Sequence, residues 1–112
     1  MDLFDCLIVG HLVGDFLLQN EWMAENKAKQ IAPLLVHSSI YTLSLFMFSL
    51  FVKPLPWLPI LLIFVSHSIV DQRGLITLWG QVVTNLKNNT WLYIMADQTV
   101  HIIIILIVCL MF

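Results

Sequence analysis

The chain has 112 residues, 60% hydrophobic and only 11% charged, with a mean hydropathy of +0.92. A soluble domain is nearer half apolar and a quarter charged, so this composition points to a one-domain integral membrane protein. The net charge of −2 leaves no basic footprint, which excludes nucleic acid as a partner.

A bilayer crossing needs about 20 mostly apolar residues, and hydropathy predicts four such helices, at roughly 3–20, 33–52, 56–73 and 91–111. The expected fold is therefore all-α, a four-helix transmembrane bundle. Span I has no basic leader and no small-residue cleavage site, so it reads as a mature helix rather than a signal peptide. Its Gly10 and Gly14 form a small-xxx-small pair, the signature of close helix packing, and such a face also suits a homo-oligomer. The connection to span II, NEWMAENKAKQIA, is the most polar part of the chain. Spans II and III are joined by Lys53-Pro54-Leu55-Pro56, a short proline-punctuated turn that makes a tight hairpin. Between III and IV, the residues Leu75, Leu78, Trp79, Val82, Val83 and Leu86 recur at helical spacing. That spacing predicts a short amphipathic helix, lying in the membrane interface or packed back on the bundle. Trp22, Trp57, Trp79 and Trp91 fall at span ends, where tryptophan anchors to the interface. Cys6 and Cys109 lie in apolar stretches near opposite ends and read as buried small hydrophobes.

Cations set the expected orientation. The I–II and III–IV connections carry Lys27, Lys29, Arg73 and Lys87, whereas the other side has only Lys53. The positive-inside rule places the longer connections in the cytoplasm and both termini outside.

All four histidines fall inside apolar segments, and three pair with an aspartate four residues away: His11/Asp15, His67/Asp71 and Asp97/His101. Residues i and i+4 share one helix face, about 6 Å apart along the axis. Together with His37, all seven groups fall in the cytoplasmic half of their predicted spans. Ionisable groups in hydrocarbon are costly unless they pair, line a wet cavity or bind an ion. Imidazole and carboxylate are the mixed ligand set of zinc, manganese or iron, and helical bundles build such sites from inward-facing ligands. The expected metal ligands are His11, Asp15, His37, His67, Asp71, Asp97 and His101, more than one tetrahedral ion needs. Either two divalent ions bind, or some of these residues hold the imidazoles of others in place. Two alternatives are plain hydrogen bonding between helices and a proton relay. Gln19, Trp22, Lys27 and Gln98 flank the cluster as candidates for orienting substrate, water or ligands. Lys27 and Lys29 are also placed to meet lipid phosphates or solvent. The serines beside the histidines read as bonding their own helix carbonyls.

HLVGDFLLQNEWMAENK, a histidine in the second span, then H-x-x-x-D and D-Q-x-x-H, resemble the small bacterial membrane proteins grouped as domain of unknown function 3307. The resemblance covers nearly the whole chain. It implies a multi-pass bacterial inner-membrane protein whose recurring polar positions are His11, Asp15, Gln19, Trp22, Lys27, His37, His67, Asp71, Asp97, Gln98 and His101. In that family a lysine commonly follows the third-span motif; here the residues are QRG, and Arg73 offers the charge instead. More distantly, the pattern is similar to inner-membrane metal-dependent hydrolases.

The resulting expectation is a metal-dependent hydrolase acting on a lipid or phosphoester-type substrate, with membrane lipid as partner. A bound divalent ion would activate water, and Asp15 or Asp97 would act as general base. The alternatives are a non-enzymatic metal-binding or assembly subunit, and a proton- or ion-translocating protein.

Overall fold

The computed structural model describes residues 2–72, 74–83 and 90–112, and every regular element among them is helical. Helix α1 (Leu3–Leu12) starts at a reciprocal cap: Asp2 Oδ1 accepts from the Asp5 N–H at 3.0 Å, and Asp5 Oδ2 accepts from the Asp2 N–H at 3.1 Å. The helix then widens into a π-helical turn, Val13–Leu17, closed by the Leu18 N–H on the Val13 carbonyl at 3.0 Å. A short α2 (Glu21–Asn26) follows, capped by the Asn20 side chain on the Met23 N–H. Next come α3 (Ile31–Ser49), α4 (Trp57–Asp71), α5 (Gly74–Val82) and α6 (Thr90–Met111).

The helix limits differ from the hydropathy limits for local reasons. α3 starts before Pro33, because proline in a first turn removes an N–H that has no helical partner anyway. Polar residues Gln19 and Asn20 end the first helix, and Asn20 starts a new one, α2, inside the polar connection.

By length and composition α3 and residues 91–111 of α6 qualify as membrane spans. α4 with residues 76–82 of α5 makes a third only if the pair, bent by 52°, counts as one broken span. The first helix with its π turn ends at Leu17, short of a full crossing. The outward face is mostly apolar, with Leu43, Phe51, Leu61, Val65, Ile103 and Ile107 exposed and the exposed Ser39 and Thr99 hydroxyls turned onto their own helix carbonyls. Contiguous exposed hydrocarbon on that scale belongs against lipid rather than water.

α5 shows its stripe outward: Leu78, Trp79, Val82 and Val83 are exposed, while Ile76 and Gly80 turn in. Gly80 lies so close to the Tyr93 ring that a Cβ would collide with it. The side chain of Leu75 and all of Arg73, Leu86 and Lys87 lie outside the described residues.

One i, i+4 face of each long helix builds the interior. Leu3 and Leu7 precede His11 on α1, Tyr41 and Leu45 follow His37 on α3, Ile63 precedes His67 on α4, and Ile105 follows His101 on α6. Leucines and isoleucines therefore form an apolar plug at one level, and the polar residues form a second level one turn away. Gly10 and Gly14 bring α1 against α3: a Cβ would come within 3.1 Å of Leu45 Cα at Gly10 and of Tyr41 Cα at Gly14. The small-residue face is thus occupied within the chain. Gly14→Leu should destabilise the fold by about 1–3 kcal/mol through overpacking, read as a lowered thermal unfolding midpoint in detergent.

Candidate metal centre

Asp71, on the last turn of α4, is 1% exposed and is approached by nitrogen from three other elements. Its Oδ2 lies 2.9 Å from Lys27 Nζ, 3.0 Å from His37 Nε2 and 3.1 Å from His67 Nε2. Its Oδ1 lies 3.3 Å from His101 Nε2. Asp15 Oδ1 adds a hydrogen bond from His37 Nε2 at 3.0 Å and lies 3.9 Å from His67 Nε2.

These approaches are short, yet most are not aligned as hydrogen bonds. Asp71 Oδ2, His67 Nε2, His101 Nε2 and Asp97 Oδ1 are buried without a hydrogen-bond partner. Such orphans are rare in folded proteins and call for a cause. His101 is the most informative. Its Nδ1 sits 2.7 Å from the Asp97 carbonyl oxygen, which can only accept, so Nδ1 carries the proton. In the neutral ring Nε2 then presents a lone pair to a carboxylate oxygen, an arrangement that repels unless a metal ion lies between them or Nε2 takes up a proton. Donation of the other ring N–H to a backbone carbonyl is how metal-binding histidines are held. Donor atoms around a tetrahedral ion at bond lengths near 2.0–2.1 Å lie about 3.3 Å apart; His37 and His67 stand 3.0 and 3.1 Å from Asp71 Oδ2, and the whole four-residue group lies within 4.8 Å.

The ligand atoms divide into two groups that share Asp71. One is Asp15, His37, His67 and Asp71; the other is Asp71, Asp97 and His101. With neutral imidazoles, the three carboxylates and the Lys27 ammonium total −2. One divalent ion would cancel that charge.

His11 joins neither group, because both its nitrogens are engaged. Tyr41 Oη lies 2.8 Å from Nδ1 and Gln98 Oε1 lies 2.7 Å from Nε2. Gln98 turns its amide nitrogen to Asp15 Oδ2 at 3.2 Å and Asp97 Oδ2 at 3.5 Å. Its carbonyl therefore accepts from His11 Nε2–H, and His11 Nδ1 accepts from the Tyr41 hydroxyl. His11 fixes Gln98, and Gln98 fixes two carboxylates. Gln19 donates to the Asp15 backbone carbonyl at 3.1 Å, tying off the end of the π turn. Trp22 is exposed on α2. Lys27, read from sequence both as a neighbour of the cluster and as a cation for lipid phosphates or solvent, is buried on Asp71.

One contributor escaped the sequence reading. Tyr41 stacks on the His67 ring at 3.8 Å between centroids and bonds His11; it is one turn from His37 on the same face, which was the available signal. The Ser38 and Ser68 hydroxyls lie 2.9 Å apart and join α3 to α4, where sequence had read Ser38 as bonding its own helix. Ser39 and Ser66 bond their own helices as expected, and Ser68 does both.

These features define an all-helical protein with membrane-span candidates and a buried His/Asp cluster able to hold a metal ion. Residues 3–112 match the family model described as Protein of unknown function (DUF3307), and the chain belongs to that family. No curated protein and no solved structure matches it.

The hydroxyl of Tyr41 gives a direct test of this hydrogen-bond chain. Tyr41→Phe keeps the ring on His67 but leaves His11 Nδ1 buried without a donor. It should cost about 1–3 kcal/mol of stability, measured by unfolding in detergent against wild type.

Proposed function

We propose that this chain is a membrane-embedded divalent-metal protein in which the ion serves hydrolysis of a lipid or phosphoester-type substrate. The observation that carries the metal reading is the set of buried His67 Nε2, His101 Nε2 and Asp71 Oδ2 atoms, which crowd together without aligned hydrogen bonds even though Lys27 pairs with Asp71. Asp15, His37, His67 and Asp71 hold the ion, with His101 and Asp97 beside it, and zinc, manganese and iron all suit that donor set.

The arrangement in the membrane follows the cations and the layer. All four long helices cross or enter the bilayer, with the termini outside and the α2 and α5 connections on the cytoplasmic side of a bacterial inner membrane. The cluster then sits in the cytoplasmic half. α5 lies in the interface with its exposed Leu78, Trp79 and Val82 toward lipid.

Hydrolysis is favoured by Asp97, whose Oδ1 has no partner and which stands outside the four-residue group. A carboxylate free of the ion is what general-base activation of water requires, and a bound divalent ion supplies the lowered pKa of that water. A second reading, an ion that only locks the helices together, is favoured by a different observation. The crevice lined by Tyr41, His67, His101 and Ile105 has no room for a water molecule, and structural metal sites are closed.

Metal content of the purified protein tests the shared claim, and turnover separates the two readings. Wild type should carry one divalent ion per chain, and His67→Ala should weaken its affinity on the order of 100-fold or more, judged against the smaller losses typical of residues that only orient ligands. Phosphodiester or ester cleavage in detergent should depend on zinc or manganese and stop with chelator. Metal binding without turnover in wild type would leave the structural ion; no metal would overturn both.

A further inference from the structure

Lys27 belongs to the most polar stretch of the chain, beside Asn26 and Lys29, and its long stem could carry its charge to water. It does the opposite. The residue is 7% exposed, and its Nζ contacts the most buried carboxylate of the cluster at 2.9 Å. α2 secures that direction: the Lys27 N–H bonds the Met23 carbonyl at 2.9 Å, and Met23 is itself 3% exposed, so residues i and i+4 pack inward together.

The cluster also contains more ligands than one ion uses. Asp71 faces one group with Oδ2 and the other with Oδ1, and the second group keeps unpartnered His101 Nε2 and Asp97 Oδ1. Donors for a second ion are therefore in place. Charge decides against it. Three carboxylates, Lys27 and one divalent ion sum to zero, whereas a second ion would leave +2 in a low-dielectric interior. Without Lys27, two ions would leave only +1, which a single hydroxide neutralises.

We propose that Lys27 is a resident cation standing in for a second metal ion, so that it sets the stoichiometry of the site at one. This rests on the metal reading of the site given above. An ammonium on Asp71 does not ligate metal; it acts by occupying charge. Its loss should therefore increase metal uptake, the reverse of losing a ligand.

The experiment is metal content and zinc or manganese titration of detergent-purified protein. Wild type and Lys27→Arg should hold one ion per chain, and Lys27→Gln should hold two. Lys27→Gln/Asp97→Asn removes one charge of each sign and disables the second group, so it should return to one. Folded Lys27→Gln with one ion or none would overturn the proposal. If Lys27→Gln does not fold alone, recovery of folding with one ion in the double variant upholds the charge role; failure of both assigns Lys27 to packing and overturns it. Wild type without metal would overturn the reading beneath it instead, so the two failures are distinguishable.

Discussion

A carboxylate deep in an apolar bundle has to be surrounded by positive charge or donors, and Asp71 concentrates that demand at one point. Lys27 comes to it from the end of α2, His37 from α3, His67 from its own helix and His101 from α6. No two of the four come from the same element. Satisfying one side chain therefore fixes the relative positions of most of the chain. Breaking a buried charge pair costs about 3–5 kcal/mol, because the remaining partner is left uncompensated. For a chain this short, that is a large part of the usual 5–15 kcal/mol of native stability. The site and the fold are one set of constraints.

Helical periodicity makes this convergence possible. Each long helix presents one ridge that is apolar at one level and polar a turn away, so packing the plug of Leu7, Leu45, Ile63 and Ile105 also sets the polar layer in register. α1 departs from that regularity at the π turn. A π turn is wider than the usual 3.6 residues, and such turns recur where a side chain must be re-aimed. Asp15 lies inside it and reaches His37 on α3 rather than bonding His11 on its own helix, which stands 3.9 Å away. The glycines supply the other condition, since only a helix without Cβ atoms at 10 and 14 approaches Tyr41 and Leu45 this closely.

Much of this was legible before any coordinates. Polar residues are rare enough in apolar segments that the three His/Asp pairs and His37 stand out, and spacing of four places each pair on one face. The layer at one end follows from the alternating direction of the helices. What spacing does not carry is which nitrogen meets which oxygen. His11 and His101 look equivalent in sequence, yet one has both ring nitrogens engaged and the other leaves Nε2 unpartnered. Lys27 was a candidate neighbour of the cluster, but a lysine in a polar connection is ordinarily solvated, and only the position of α2 turns it inward. Tyr41 was hidden by its type: for one aromatic among many in an apolar helix, a place one turn from His37 is a weak signal until the hydroxyl finds a partner. The length of the crossings was also less than hydropathy suggested, because apolar residues at 18 and at 50–52 count toward hydropathy while the backbone has already turned.

The same two-level design limits how anything reaches the cluster. Toward the α3–α4 turn, the plug closes the interior with side chains that are almost completely buried, among them Leu7, Leu45 and Ile105. Tyr41 seals the boundary between levels by stacking on His67 while its hydroxyl holds His11. At the other level Gln19, α2 and Lys27 lie against the cluster, with Gln19 on the Asp15 carbonyl and Lys27 on Asp71. α2 has six residues, and Met23 is the one buried among them, so local opening there should cost less than opening of the long helices that build the site.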